Sequence, residues 1–259
     1  FSNLKIKPAT PLELVFDYTL PLQITNKKIE PFFISSADNF YPRPARNGKN
    51  DFRVTFNIKV ETPEKLNVVS QGEKLSDFVK NGNRTVIWRE NKPQEEIILI
   101  ADHYQVFTAS HQSISLYAYL HDNDKALAKK YFKATRSYID LYSKLIAPYP
   151  YKKFALVENI KQAGYGMPSF TLLGSRIIRF PFILQTSYPH EILHNWFGNG
   201  VYVSPDSGNW AEGLTTYLAD HLLSEQMGKG GQYRLQELMK YSNYVNEKND
   251  FPLENFKGR

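Results

Sequence analysis

Residues 190 to 194 read His190-Glu191-Ile192-Leu193-His194, and no other stretch of the chain restricts its fold as tightly. On a helix, positions i and i+4 share one face, so both imidazoles can point at a common ion. The flanks predict that helix. Ile192, Leu193, Trp196 and Phe197 supply an apolar stripe. Ser187 suits the N-cap, Pro189 falls in the first turn where its missing N–H does no harm, and Gly198 and Gly200 mark the end. Two histidines flanking a glutamate also suit a partly exposed helix face, but the stripe argues for a buried helix.

A second helical pattern begins at Trp210-Ala211-Glu212-Gly213-Leu214 and carries a carboxylate near its start. His190, His194 and Glu212 then make a three-donor set suited to one Zn²⁺ per chain, with a fourth position left for water. Glu191 stands between the histidines, placed to take a proton from that water and pass it to a leaving amine. The spacing is the metal-peptidase signature, which makes peptide-bond hydrolysis the expected chemistry and a peptide or protein the expected partner. Asp220 lies eight residues after Glu212 and is a candidate to orient a ligand, or equally a surface charge of the helix.

Upstream, Gly164-Tyr165-Gly166-Met167-Pro168-Ser169-Phe170-Thr171-Leu172-Leu173-Gly174 follows a buried-strand pattern at 154–158. Its glycines permit close approach of another chain. The segment 171–173 is expected to be an edge strand, to which a peptide could add by main-chain hydrogen bonds. A glycine-rich turn before a structural strand is the other reading.

His190-Glu191-Ile192-Leu193-His194-Asn195-Trp196-Phe197-Gly198-Asn199, followed by Asn209-Trp210-Ala211-Glu212-Gly213, resembles the gluzincin zinc aminopeptidase family, of the aminopeptidase N and leukotriene hydrolase type. The chain looks like a bacterial-like divergent member. The resemblance implies His190, His194 and Glu212 as zinc ligands and Glu191 as general base. It also favours substrate contacts at Gly164, Tyr165, Gly166 and Met167, with Tyr165 lining the first side-chain pocket. Three departures stand out. The His194–Glu212 interval encloses seventeen residues, one fewer than the family usually has. Pro168 stands where the family carries the glutamate that holds a substrate's amino terminus, and proline cannot bind an ammonium group. The family's transition-state tyrosine would fall beyond Arg259, and Tyr217, Tyr233, Tyr241 and Tyr244 do not sit at its spacing. Two alternatives to an aminopeptidase follow: a peptidase with no need of a free amino terminus, and an impaired zinc-binding module that serves binding.

The expected fold class is α+β. Residues 1–108 read as a β-sandwich or saddle, with strand patterns at 12–18, 51–60, 85–88 and 96–100 separated by Asn47-Gly48 and Asn81-Gly82-Asn83. Tyr41-Pro42-Arg43-Pro44 reads as an extended loop. Residues 109–259 are expected to form a mainly helical domain, which the resemblance makes a thermolysin-like zinc-peptidase domain truncated at its carboxyl end. A long helix is predicted over 122–146, capped by Asp122 or Asn123 and ended by Pro148 and Pro150. His111 and His121 are expected at the surface. Hydrophobic residues make up 42% of the chain and aromatics 14%, enough for a substantial core. The absence of cysteine excludes disulfides and thiolate ligands. The net charge of +6 is dispersed, as at Lys5, Lys7, Lys27, Lys28, Lys129 and Lys130, so no nucleic-acid partner is expected. No apolar run of about eighteen residues indicates a transmembrane helix. The start at Phe1 suits a processed precursor or a trimmed chain. The cell envelope, the periplasm or secretion is favoured slightly over the cytoplasm, and the oligomeric state stays open.

Overall fold

The computed structural model describes residues 24–25, 28–29, 31–43, 52–204 and 206–257. The strand pattern at 12–18 and the Asn47-Gly48 turn lie outside them, as does Pro44. The first part is all β. Strands β1 (Ile24–Thr25) and β2 (Lys28–Ile29) form a short antiparallel pair. Strands β3 (Phe32–Ile34), β4 (Val54–Pro63), β5 (Asn67–Ser70), β6 (Glu73–Lys80), β7 (Asn83–Gln94) and β8 (Leu99–Asp102) then build two antiparallel sheets, ordered β4-β7-β6 and β3-β8-β5. The β6–β7 hairpin turns through Asn81 and Gly82, both at positive φ, the conformation an Asn-Gly hairpin turn requires. Leu66, Val68, Val86, Trp88, Leu99 and Ala101 pack between the two sheets.

Strands β9 (Gln105–His111) and β10 (Ile114–Leu120), helix α1 (Lys125–Leu145), and strands β11 (Lys153–Asn159), β12 (Gly164–Met167) and β13 (Phe170–Gly174) follow. The five strands form one mixed sheet ordered β12-β13-β11-β10-β9. Residue 108, the expected division of the chain, falls inside β9, which pairs with β10 along its whole length. The second part is thus built on a sheet as well as on helices, and the class of the chain is α+β.

Strand β11 is buried on both faces, and its alternation explains the layering. Phe154 and Leu156 point into the larger core with α1, while Ala155 and Val157 join Val69, Ile98 and Ile100 of the β-rich part. A continuous apolar cluster therefore fastens the two parts together.

Three local expectations are corrected. Asp124, rather than Asp122 or Asn123, caps α1 by accepting a hydrogen bond from the Leu127 N–H. Segment 171–173 is not an edge: β13 lies between β11 and β12, and the edge strand is β12. The alternative reading of the glycine-rich stretch as a turn does not hold for Gly164–Met167, which pairs with Phe170–Leu173 as a strand. His121 is not a simple surface residue. It is half-buried, stacks on Tyr104 and pairs through Nε2 with Asp102 at 3.0 Å. His111 pairs with Asp140 at 2.6 Å.

Beside His121, the side chain of Glu158 is 1% exposed and meets Arg179 Nη1 at 2.6 Å. The backbone N–H of His121 donates to its other oxygen at 2.8 Å. Removing the guanidinium leaves a buried carboxylate without its counter-charge. Arg179→Ala is expected to cost about 2–3 kcal/mol in chemical denaturation, less than the ~3–5 kcal/mol of a fully buried pair. The discount reflects water at Arg179, whose side chain is 37% exposed. An unchanged unfolding midpoint would show that the pair contributes nothing.

Candidate metal centre

Helix α2 (Ser187–Leu193) carries the first histidine, and His194 follows as its C-cap. Thr186, not Ser187, is the N-cap residue, and it makes no side-chain capping bond. Pro189 sits in the first turn as expected. The helix ends earlier than Gly198: Asn195 and Trp196 make tight i→i+3 bonds, and Gly198 turns the chain at φ 98°. Tyr188, Ile192, Leu193 and Trp196 are buried in the main core, which leaves His190, Glu191 and His194 half-buried on the opposite face.

Helix α3 (Trp210–Thr215) begins at its N-cap Asn209, whose side chain accepts from the Glu212 N–H. The chain continues through a π-helical stretch, Thr216–His221, into α4 (Leu222–Gln226) and then α5 (Gly230–Tyr244). The i→i+5 bonds of a π turn are wider than those of an α-helix and often mark functional sites. Here the turn carries Asp220 to His190.

His190, His194 and Glu212 converge, with ligand atoms all within 4.8 Å of one another. Glu212 offers one oxygen to each imidazole, Oε1 at 3.1 Å from His190 Nε2 and Oε2 at 3.5 Å from His194 Nε2. Two donors bound tetrahedrally at about 2.0–2.1 Å from zinc stand about 3.3 Å apart, so the observed spacings suit that ion. The far side of each ring is also engaged. His190 Nδ1 donates to Asp220 Oδ2 at 3.0 Å, and His194 Nδ1 donates to the Phe197 carbonyl at 3.1 Å. Both Nε2 atoms therefore face Glu212, the arrangement that imidazole ligands need. Burial pulls His190 down, but the hydrogen bonds of Asp220 and Glu212 outweigh it and raise the group to about 10. A metal binding at Nε2 must displace that proton.

Glu191 reaches toward strand β12. Burial pushes its carboxyl up to about 7, against the opposing pull of His190 and of the hydrogen bond from the Gly166 backbone. The glycines explain the close approach. A Cβ on Gly166 would stand 2.9 Å from Glu191 Oε2 and 3.0 Å from His194 Cβ, and one on Gly164 would stand 3.0 Å from Glu191 Oε1. Tyr165 is half exposed. All four residues of β12 line a cleft of about 560 Å³ that also contains His190, Glu191, His194 and Glu212.

The same cleft includes Asn199, the last residue of the histidine motif, and residues that the motifs had not singled out: Glu95, Glu96 and Tyr202. Asn199 Nδ2 donates to the Gly166 carbonyl at 2.9 Å. Glu96 comes from the β-rich part and accepts from the hydroxyl and the N–H of Ser36. The one sequence signal for the acidic pair was two adjacent carboxylates just before a buried strand. Tyr165 and Tyr202 are the tyrosines among the described residues that line the cleft.

No protein-family model matches the sequence, and no curated protein matches it. Solved structures do. The M1 zinc metallopeptidase of Deinococcus radiodurans superposes with a TM-score of 0.63 at 19% identity, covering 84% of this chain and 50% of that one. A mutant of the same enzyme bound to a Tyr-Ser-Ala substrate gives 0.58 at 18%, over 77% and 46%. Yeast LTA4 hydrolase gives 0.56 at 19%, over 74% and 31%. The fold is that of these zinc metallopeptidases. The chain spans half of the bacterial enzyme's length or less, and at these identities the likeness extends to the fold alone.

Two outcomes follow from the geometry. Asp220→Ala should weaken zinc binding about 10–100-fold in a competition titration, because His190 loses the partner that orients it. Gly166→Ala should lower stability by about 1–3 kcal/mol in denaturant, since His194 Cβ at 3.0 Å and the Glu191 carbonyl at 3.1 Å would have to shift to admit a methyl group.

Proposed function

We propose that this chain forms part of a zinc-dependent, aminopeptidase-like metallopeptidase. The observation that carries the reading is the meeting of His190, His194 and Glu212 with Glu191 beside a glycine edge strand in one cleft. Zinc, when bound, would lower the pKa of a water and polarise the scissile carbonyl. His190, His194 and Glu212 would hold the ion, and Asp220 and the Phe197 carbonyl would fix the two rings. Glu191 would take a proton at its carboxylate and hand it to the departing amine. Gly164, Tyr165, Gly166 and Met167 would align an extended peptide along the edge of the sheet. A thermolysin-like surrounding for this site belongs to the same proposal.

Pro168 lines the cleft and offers no charge for a free amino terminus, which favours a second reading, a peptidase that accepts blocked peptides. Glu95 and Glu96 favour the first, because they bring carboxylates into the same cleft. Glu191→Gln is expected to keep its zinc and lose about 10²–10⁴-fold in turnover of an unblocked peptide. The test pairs each peptide with its acetylated form. Equal rates would select the blocked-peptide reading. Stoichiometric zinc with no turnover in the natural full-length protein would leave only a zinc-binding module.

A further inference from the structure

Lys153 opens strand β11 and is 1% exposed, a costly position for an amine unless its donors are satisfied. None of the chemistry above uses it. Its Nζ donates to Ser169 Oγ at 2.8 Å and to the Ser169 carbonyl at 3.2 Å. The rings of Trp88, on β7, and Phe170 flank it at 5.2 and 5.3 Å.

Ser169 is the second of two turn residues, after Pro168, between β12 and β13. It is wholly buried and sits at φ 67°, a left-handed conformation that a serine seldom adopts without support. Each of its polar groups is engaged. The hydroxyl accepts from the Gly72 N–H at 3.0 Å as well as from Lys153. The Ser169 N–H donates to Asn195 Oδ1 at 2.8 Å. Asn195 directly follows His194, is itself wholly buried, and donates through Nδ2 to the Ile192 carbonyl. A continuous chain of hydrogen bonds thus runs from a buried lysine, through a strained turn, to the end of the histidine helix. Asn199 ties the same segment to the middle of β12 at Gly166.

The geometry points to Lys153 and Ser169 as positioning residues: they hold the β12–β13 turn against Asn195 and so set where the glycine strand lies relative to Glu191 and His194. This rests on the peptidase reading, because the strand matters for turnover only if a peptide lies along it. The placement also draws the β-rich part into the site, since Gly72 and Trp88 complete the surroundings of Ser169 and Lys153.

The test compares Lys153→Met, Ser169→Ala and the double variant in the full-length protein, with Co²⁺ as the metal probe. Ser169→Ala removes only a hydroxyl and keeps the comparison open if Lys153→Met does not fold. The expected result has four parts. Co²⁺ affinity and visible spectrum stay within about twofold of wild type. Hydrogen exchange at the Ser169 amide speeds up at least about tenfold. Turnover number per metal-loaded folded molecule falls about 10–100-fold with KM nearly unchanged, as a misplaced strand would cause. The double variant loses less than the two single variants' losses combined, because Lys153 Nζ and Ser169 Oγ share a bond. Wild-type turnover per loaded molecule, a loss of activity matched by a loss of metal, or additive effects would each overturn the assignment. If the wild-type protein itself does not cleave peptides, the peptidase reading fails. Slow, wild-type-like exchange at Ser169 in Lys153→Met would then separately refute the positioning role.

Discussion

Glu212 presents one carboxylate oxygen to each of two imidazoles, at 3.1 and 3.5 Å, and the arrangement around the cleft depends on keeping that three-way approach closed. The approach is not local. His190 and His194 come from one short helix, and Glu212 comes from the first turn of another, with an irregular loop between them. Neither helix is long enough to hold itself in water. Packing holds α2, through Tyr188, Ile192, Leu193 and Trp196 in the main core. On the other side the π-helical turn holds Glu212 and Asp220 together against His190. Each donor is thus fixed by something other than its neighbours in the motif.

The glycine strand imposes the second constraint. Glu191 can lie against β12 only because Gly164 and Gly166 have no side chains at the points of closest approach. An edge strand also leaves backbone groups unpaired by a neighbouring strand. At Gly166 these are met by the side chains of Asn199 and Glu191. Edge, glycine and general-base candidate therefore form one physical unit, and a change in any of them is felt by the others.

The β-rich part contributes more than a support. Val69, Ile98 and Ile100 pack directly under the five-stranded sheet. Gly72 reaches Ser169, Tyr202 bonds to the Pro93 carbonyl, and Glu95 and Glu96 enter the cleft. The His190, His194 and Glu212 cluster lies on the second part, but the walls of the cleft belong to both.

Much of this was legible in the residue string where the relevant physics is local. The i and i+4 spacing of His190 and His194, the carboxylate at the start of the next helix, the Asn81-Gly82 turn and the doubly apolar run of β11 each follow from backbone geometry over a few residues. Asp220 was visible as a position, yet its contact with His190 depended on a π turn that no spacing rule anticipates. The order of strands escaped the string altogether. Whether β12 or β13 forms the edge is a matter of which backbone finds a partner, and β12 carries too few side chains to signal either answer. Lys153, Ser169, Asn195 and the acidic pair at 95–96 gain their meaning from neighbours that lie far away along the chain. Hydrophobic patterning reports which face of an element is buried. It carries no record of which distant polar atom will meet it there, because that pairing exists only once the sheets and helices have packed.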